Sequence, residues 1–305
     1  MSLNVSALSD FNNEVAGRIV PKMVFEGYTT SILPVQEGIK YQEPLNIFDT
    51  TLVIQNGNCV STASGSFTAT QKTITVTPRV SYDGICLDTM NSKYLGISAL
   101  EIGSYNETFK LAEVYTGQIV NQMKKADDQF LWLSDSGSNG GTAFGSGSSV
   151  AAGATLVPAG TGSFNSTNAL DVIDAYIAAI DPEIADRDDL TLWLGVSDFR
   201  QYIAALRKNN NYYNEANDTA GASVGTLVSR YPFANVKVVG TPGITDGRRC
   251  LMPDAYAVVG TDLLSDVENF SLWYDINADQ LKHRLKSKLG GAIAFPEYVL
   301  TNKVV

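Results

Sequence analysis

The sequence predicts an α+β protein: an extended amino-terminal segment, a long β-hairpin, a long helix, an α/β unit and closing strands. Three observations carry this reading. Strand-like segments flank an Asn-Gly pair early in the chain, a helical apolar stripe runs over residues 106–133, and helix and strand patterns alternate after residue 165.

Leu8, Phe11, Val15 and Ile19 recur at spacings of three and four, which predicts a short helix with Ser9 or Asp10 at its start and Pro21 at or just beyond its end. Residues 23–45 are broken by Gly27, Pro34, Gly38 and Pro44 and read as an extended arm. Residues 50–55 are rich in Thr, Leu, Val and Ile, a strand composition. Asn56-Gly57 follows at once, the strongest short hairpin signal, with Ser64-Gly65 as a second turn candidate. Ile74, Val76 and Val80 then alternate with Thr73, Thr75, Thr77 and Arg79, and Pro78 makes this an edge or bulged strand. A hairpin this rich in Ser and Thr buries little by itself and has to lie on something else.

Over 106–133, Phe109, Ala112, Thr116, Ile119, Val120, Met123 and Phe130 fall largely on one helical face, and such a helix would run roughly 40 Å. Residues 134–162 are rich in Gly, Ser and Ala. No lysine follows a glycine there, so no GxxxxGK[ST] loop exists and the segment reads as a connection at a domain boundary. Thr167 or Asn168 then caps a helix carrying Leu170, Ile173, Ile177 and Ile180. Residues 190–196 read as a buried strand, and Ser197-Asp198 opens a helix with Phe199, Tyr202, Ile203 and Leu206, with Lys208 near its end. Residues 209–217 read as an exposed loop, and 236–239, 256–259 and 272–276 as strands. From 280 to 289 the alternation is strict: Leu281, His283, Leu285, Ser287 and Leu289 face one way, while Lys282, Arg284, Lys286 and Lys288 face the other. Residues 292–295 and 298–300 read as the last strands.

Composition narrows the function. The 305 residues suffice for one large or two medium domains. With 32 acidic and 22 basic residues the net charge is −10, a poor match for phosphates or an anionic membrane. Cys59, Cys86 and Cys250 form no CxxC pair, so neither a disulfide framework nor a zinc site is indicated and the reducing cytoplasm is the default compartment. Asp10, Asn12 and Glu14 exclude a secretory apolar region, and no apolar run approaches a membrane span. No catalytic constellation stands out, and no cofactor or metal is implied. His283 is the sole histidine and reads as a packed side chain, Ser197-Asp198 as a helix cap, and the neighbours Asp127-Asp128 and Asp188-Asp189 diverge on a helix.

The order of arm, long hairpin, long helix, α/β unit and closing strands resembles the tailed-phage major capsid proteins of the Hong Kong 97-type fold. The strings LTLWLGVSDFRQYIAALR (190–207), VVGTPG (238–243), VGTDLLSD (259–266) and GGAIAFPEYVL (290–300) add to the resemblance, which spans essentially the whole chain. Residues 55–86 are similar in style to capsid proteins of crAss-like and related Bacteroidetes phages. The resemblance implies an N-terminal arm over 1–41, an E-loop over 42–80, a peripheral domain over 81–164 and 253–305 with a spine helix near 106–133, and an axial domain over 165–252. It implies no enzyme but a shell subunit that assembles with itself into pentamers and hexamers of an icosahedral head in the host cytoplasm. The expected partners are other copies, a portal, separate scaffold or decoration proteins, and packaged double-stranded DNA held only loosely. The alternative from the same fold is an encapsulin-type nanocompartment shell. A carbohydrate-binding tail module, usually all-β, fits the long helix poorly.

The contact candidates that follow are Asn56, Gly57, Lys72, Thr73, Thr75 and Thr77 in the hairpin and Lys282, Arg284, Lys286 and Lys288 near the C-terminus. The basic stripe has two readings: an intersubunit contact with Glu37, Glu43 or Asp49 of a neighbour, or the solvated face of a half-buried sheet. Some family members join an E-loop lysine to a neighbour's asparagine. Lys72, the hairpin's one lysine, reads more simply as a solubilising side chain. Cys59 and Cys86 read either as a pair or as two small residues buried in strands.

Overall fold

The computed structural model describes residues 29–54, 64–86, 119, 122–123, 125–133, 144, 154–157, 164–209, 228–231, 234–245, 247–262, 270–275, 277–278 and 280–302. The expected helix at Leu8–Ile19, the Asn56-Gly57 turn, Cys59, most of the arm and the first part of the long helix lie outside these residues.

Two six-stranded sheets organise the described residues. The first contains β1 (Val35–Gln36), β2 (Gln42–Leu52), β3 (Gly65–Cys86), β9 (Ala257–Thr261), β10 (Phe270–Asp275) and β11 (Gln280–Ile293), in the order β1-β9-β11-β3-β2 with β10 also on β11. The second contains β4 (Thr155–Leu156), β5 (Leu190–Gly195), β6 (Val228–Arg230), β7 (Val236–Thr241), β8 (Cys250–Pro253) and β12 (Leu300–Thr301), in the order β4-β12-β8-β5-β7-β6. The described helices are α1 (125–132), α2 (Ala169–Ala178) and α3 (Val196–Lys208).

In the second sheet the period-two pattern sorts side chains between two cores. Leu190, Leu192, Leu194, Val236, Val238 and Leu251 pack against Val172, Ile173 and Tyr176 of α2 and Phe199, Tyr202 and Leu206 of α3. Trp193, Val239, Cys250 and Met252 point the other way and meet Phe130, Leu131 and Trp132 of α1 together with Val259, Leu289 and Ile293 of the first sheet. The end of α1 is thus wedged between the sheets. Trp132 anchors it, with its ring 5.1 Å from Trp193 and 5.6 Å from Phe144. Apolar residues on both faces of β5 make it the buried central strand that its unbroken LTLWLG predicts, and β7, which follows α3 and β6 in the chain, runs parallel to it.

Several boundaries differ from the sequence expectation, each for a local reason. β2 starts at Gln42 rather than Thr50, because Pro44 lies on the ribbon's outer strand where a missing N–H is tolerated. The N-cap of α3 is Gly195, so Ser197 and Asp198 fall inside its first turn. A Cβ on Gly195 would sit 2.6 Å from the Ile244 carbonyl oxygen, which suits glycine at that close approach. Asn168 occupies the N-cap of α2, but its side chain accepts from the Asn165 N–H (2.8 Å) instead of capping the helix. The Gly/Ser/Ala-rich segment supplies more than a connection: Phe144 enters the core and β4 pairs with β12. β11 runs on to Ile293, and Tyr298 lies in a 3-10 turn rather than a strand. β8 and β12 both belong to the second sheet, so the last strand lies with the elements of 165–252.

Gly290 and Gly291 allow β11 to pass between β3 and Phe144. A Cβ would meet the Thr75 carbonyl oxygen at 2.0 Å from Gly290 and the Phe144 ring at 2.4 Å from Gly291. Gly290→Ala is therefore expected to lower the stability of the fold by about 2 kcal/mol or more, because a backbone contact cannot yield without separating two paired strands. Chemical denaturation of the purified chain measures this.

Candidate functional site

β3 changes partner along its length. Residues 76–86 pair with β11, and residues 65–75 pair with β2. The first part is held in the sheet, while the second continues as a two-stranded ribbon. Directly opposed residues share a side of such a ribbon. One side carries Gln42/Thr75, Asn46/Gln71, Phe48/Ala69 and Thr50/Phe67, and the other Glu43/Ile74, Leu45/Lys72, Ile47/Thr70 and Asp49/Thr68. Hydrogen bonds from Gln42 Nε2 to Thr75 Oγ1 (3.2 Å) and from Gln71 Nε2 to Asn46 Oδ1 (2.8 Å) brace the first side. Phe48 and Phe67 stack there at 5.6 Å, yet 62% and 67% of their surfaces remain exposed.

The ribbon is fixed at its base. Ile74 and Val76 are buried with Ile39, and the alternation read over 73–77 leaves Thr73 and Thr77 exposed and Thr75 half-buried. The solubilising role read for Lys72 is corrected by its position: its Nζ donates to the Ile293 carbonyl (3.2 Å), tying the hairpin base to the end of β11. Desolvation pulls its pKa down, partly opposed by nearby Glu297. Asn56 and Gly57 lie outside the described residues. Beyond residue 76 the outer edge of β3 has no strand partner among the described residues, and Pro78 sits there, as an edge proline should.

The basic stripe divides in two. Lys282 pairs with Asp275 (2.6 Å), and Lys288 pairs with Asp262 (2.5 Å) and donates to the Lys40 carbonyl (3.1 Å). Arg284 and Lys286 are exposed and have no charged partner among the described residues. The acids that neutralise the two ends are therefore near in sequence, across the β10–β11 turn and after β9. His283 faces the opposite side, buried against Ser81, whose Oγ lies 3.2 Å from its Nε2, and burial lowers its pKa.

A site that sequence reading missed lies at the end of α1. Asp127 and Asp128 do diverge, but both into the interior. Asp127 pairs with Arg79 of β3, whose guanidinium also donates to the Ala126 carbonyl (3.2 Å) and stacks 4.7 Å from the Phe130 ring. Asp128 accepts from the Thr29 N–H (3.0 Å) and from Thr241 Oγ1 (3.3 Å), while Trp132 Nε1 donates to Thr29 Oγ1 (2.9 Å). Arg248 donates to the Trp132 carbonyl (2.8 Å). One helix end thus ties together the segment before β1, the long strand β3, the end of β7 and the connection from β7 to β8. Desolvation pushes Asp127 up to about 6 despite Arg79, and raises Asp128 as well. Burial also lifts Asp254 to about 6, against its hydrogen bond from Thr191 (2.8 Å) and the nearby Lys237 ammonium. The available signal was an arginine within a Thr-rich strand and two adjacent acids on an apolar helix.

These contacts are structural. Among the described residues no group of histidine, cysteine, aspartate and glutamate is placed to hold a metal, and no helix is long and apolar enough to cross a membrane.

No family model matches the chain, and no curated protein matches it. Among solved structures it is similar to the capsid of an empty GTA particle, with a TM-score of 0.56 and 9% identity over 90% of this chain and 88% of the other. A chain of the satellite phage P4 procapsid, solved with its size-determination protein, gives 0.55 and 10% identity over 96% and 91%. A virus-like particle from Pyrococcus furiosus gives 0.52 and 10% over 94% and 97%. The chain has the tailed-phage major capsid protein fold. At these identities the backbone arrangement is shared while the side-chain contacts are this chain's own.

Two outcomes follow for this chain. Arg79→Met leaves Asp127 buried without its cation and is expected to cost about 3–5 kcal/mol, measured by urea denaturation. Raised carboxylate pKa values mean that the folded chain holds protons more tightly than the unfolded one. The stabilisation from Asp127 and Asp254 is complete below about pH 4 and lost as pH rises through about 6, and the raised Asp128 acts in the same direction. The denaturation midpoint should be higher at pH 5 than at pH 7.5, and Asp254→Asn should shrink that difference.

Proposed function

We propose that the chain is a major capsid protein, a non-catalytic subunit that assembles with itself into pentamers and hexamers of an icosahedral phage head around double-stranded DNA. The observation that supports this best is the β2–β3 ribbon. It is anchored at its base, braced along its length and exposed on both sides of its outer part. A two-stranded ribbon with exposed aromatic and aliphatic side chains is marginal in water and gains stability against another surface.

In this reading the ribbon is the E-loop, α1 belongs to the spine helix of the peripheral domain, and the second sheet with α2 and α3 forms the axial domain. Residues 1–41 form the arm. Portal, scaffold or decoration proteins would meet the assembled shell rather than the lone subunit. The net charge of −10 suits loose contact with packaged DNA. The virion is the place of action, with assembly in the host cytoplasm. No feature of the described residues favours the encapsulin reading.

The test is negative-stain electron microscopy of the chain expressed alone, at low and high concentration and with a crowding agent. Rings of five or six subunits, or closed shells, are the expected result. A monodisperse monomer under every condition would contradict self-assembly, and uniform small shells from this chain alone, filling with a co-expressed cargo, would turn the reading to a nanocompartment.

A further inference from the structure

Tyr256, Phe295 and Tyr298 form an aromatic cluster at the rim of the second core. Tyr256 lies 4.9 Å from Phe295 and 5.9 Å from Tyr298, and Phe295 lies 6.2 Å from Tyr298, with the ring pairs tilted by 54°, 37° and 56°. All three residues are only half-buried. Two 3-10 turns present them, Asp254–Tyr256 before β9 and Pro296–Tyr298 after β11, and the Ala294 N–H joins the two segments by donating to the Tyr256 carbonyl (2.8 Å). The rings are held in place. Arg187 stacks on Tyr256 at 4.7 Å and donates to its hydroxyl (3.2 Å), and the Tyr298 hydroxyl donates to Glu183 Oε2 (2.6 Å).

The surface beside these rings is acidic. Residues 181–189, which follow α2, carry Asp181, Glu183, Asp186, Asp188 and Asp189 against the single Arg187, a balance of 1 − 5 = −4 in a chain of −10. Arg187 is already matched by Asp189, which accepts from its Nε and Nη2 at 2.7 Å each. Asp181, Glu183 and Asp188 stand exposed and form no ion pair among the described residues. The hydrogen bond to Glu183, burial and the nearby Asp181 raise the Tyr298 pKa, which places both carboxylates at the edge of the cluster. Glu297, on the other side, lies near Lys72.

We propose that Tyr256, Phe295 and Tyr298, with Asp181 and Glu183 at their edge, bind a proline-rich, basic segment of another protein. Rings tilted in this way leave clefts between them instead of one flat plate. A polyproline II segment lays its pyrrolidine rings into such clefts at low entropic cost, because its backbone is extended before it binds. Its arginines or lysines then meet Asp181 and Glu183, and a cation over an aromatic face adds to the attraction. The carboxylates decide against other occupants. A neutral sugar stacks best on a single open ring and gains nothing from a net charge of −4, while nucleic acid and an anionic membrane are repelled by it. No residue of the β2–β3 ribbon takes part, so the proposal stands apart from the shell-subunit reading.

The test titrates a fluorescein-labelled peptide of Arg-Pro-Pro-Pro repeats with the full-length chain and follows fluorescence anisotropy. Saturable binding with a Kd below about 1 mM is expected. Peptides of Arg-Gly-Gly-Gly or Glu-Pro-Pro-Pro repeats should bind at least tenfold more weakly, since each keeps only one of the two features. Phe295→Ala should weaken binding at least tenfold. The double variant Asp181→Asn, Glu183→Gln keeps the acceptors for the Glu183 N–H and the Tyr298 hydroxyl, so it should retain the parent's circular dichroism and denaturation midpoint while losing at least fivefold in affinity. Absence of saturable binding by the Arg-Pro-Pro-Pro peptide overturns the proposal. So does equal binding of the glycine peptide, unchanged affinity of the folded double variant, or binding of a neutral oligosaccharide such as maltohexaose in place of the peptide.

Discussion

A strand of 22 residues spans about 70 Å, while a compact chain of this length measures roughly 50 Å across. β3 therefore cannot be buried along its whole length in its own subunit. The structure divides it. The carboxyl-terminal half is held in the first sheet by eleven consecutive pairings with β11, and the amino-terminal half leaves the sheet with β2 as its companion. The exposed ribbon is a consequence of that length, and its exposed phenylalanines give it something to bury elsewhere. Burial of apolar surface at about 25 cal/mol per Å² is a weak force per side chain and a larger one when summed over a patch.

Holding one end of such a lever requires a stiff base. The end of α1 supplies it. Arg79 of β3 is clamped by Asp127, by the Ala126 carbonyl and by the Phe130 ring, while Asp128 and Trp132 bind Thr29. Carboxylates buried this deeply add little net stability, since their desolvation offsets much of the attraction to their partners. Their directional bonds fix which strand, turn and helix meet. The same cluster links the segment leading into β1, the sheet-held half of β3 and the β7–β8 connection of the second sheet, through Thr241 and Arg248.

Where a pattern was long and regular, the sequence was readable. The alternation in β11, the continuous apolar run of β5 and the helical stripes of α2 and α3 depend on local period and burial, and they appear where expected. The start of β2 was not readable, because Pro44 and the polar residues around it look like loop until a ribbon edge makes them acceptable. The basic stripe was legible as a stripe. Its internal pairing with Asp262 and Asp275 was not, since that depends on how β9 and β10 flank β11. Lys72 and the Asp127–Arg79 pair were hidden for the same reason: each joins residues distant in sequence, and neither leaves a local periodic trace. In the proposed shell reading, what covers the ribbon is another copy of the chain.

Amide hydrogen exchange of the subunit and of its assembled form tests that last point most directly. If the ribbon completes its burial only against another copy, the amides of 44–52 and 65–73 should exchange at least tenfold more slowly after assembly, while those of β5 and β7 hardly change. Equal exchange of the ribbon in both states, in particles confirmed by microscopy, would contradict the account and place the assembly contact elsewhere on the molecule.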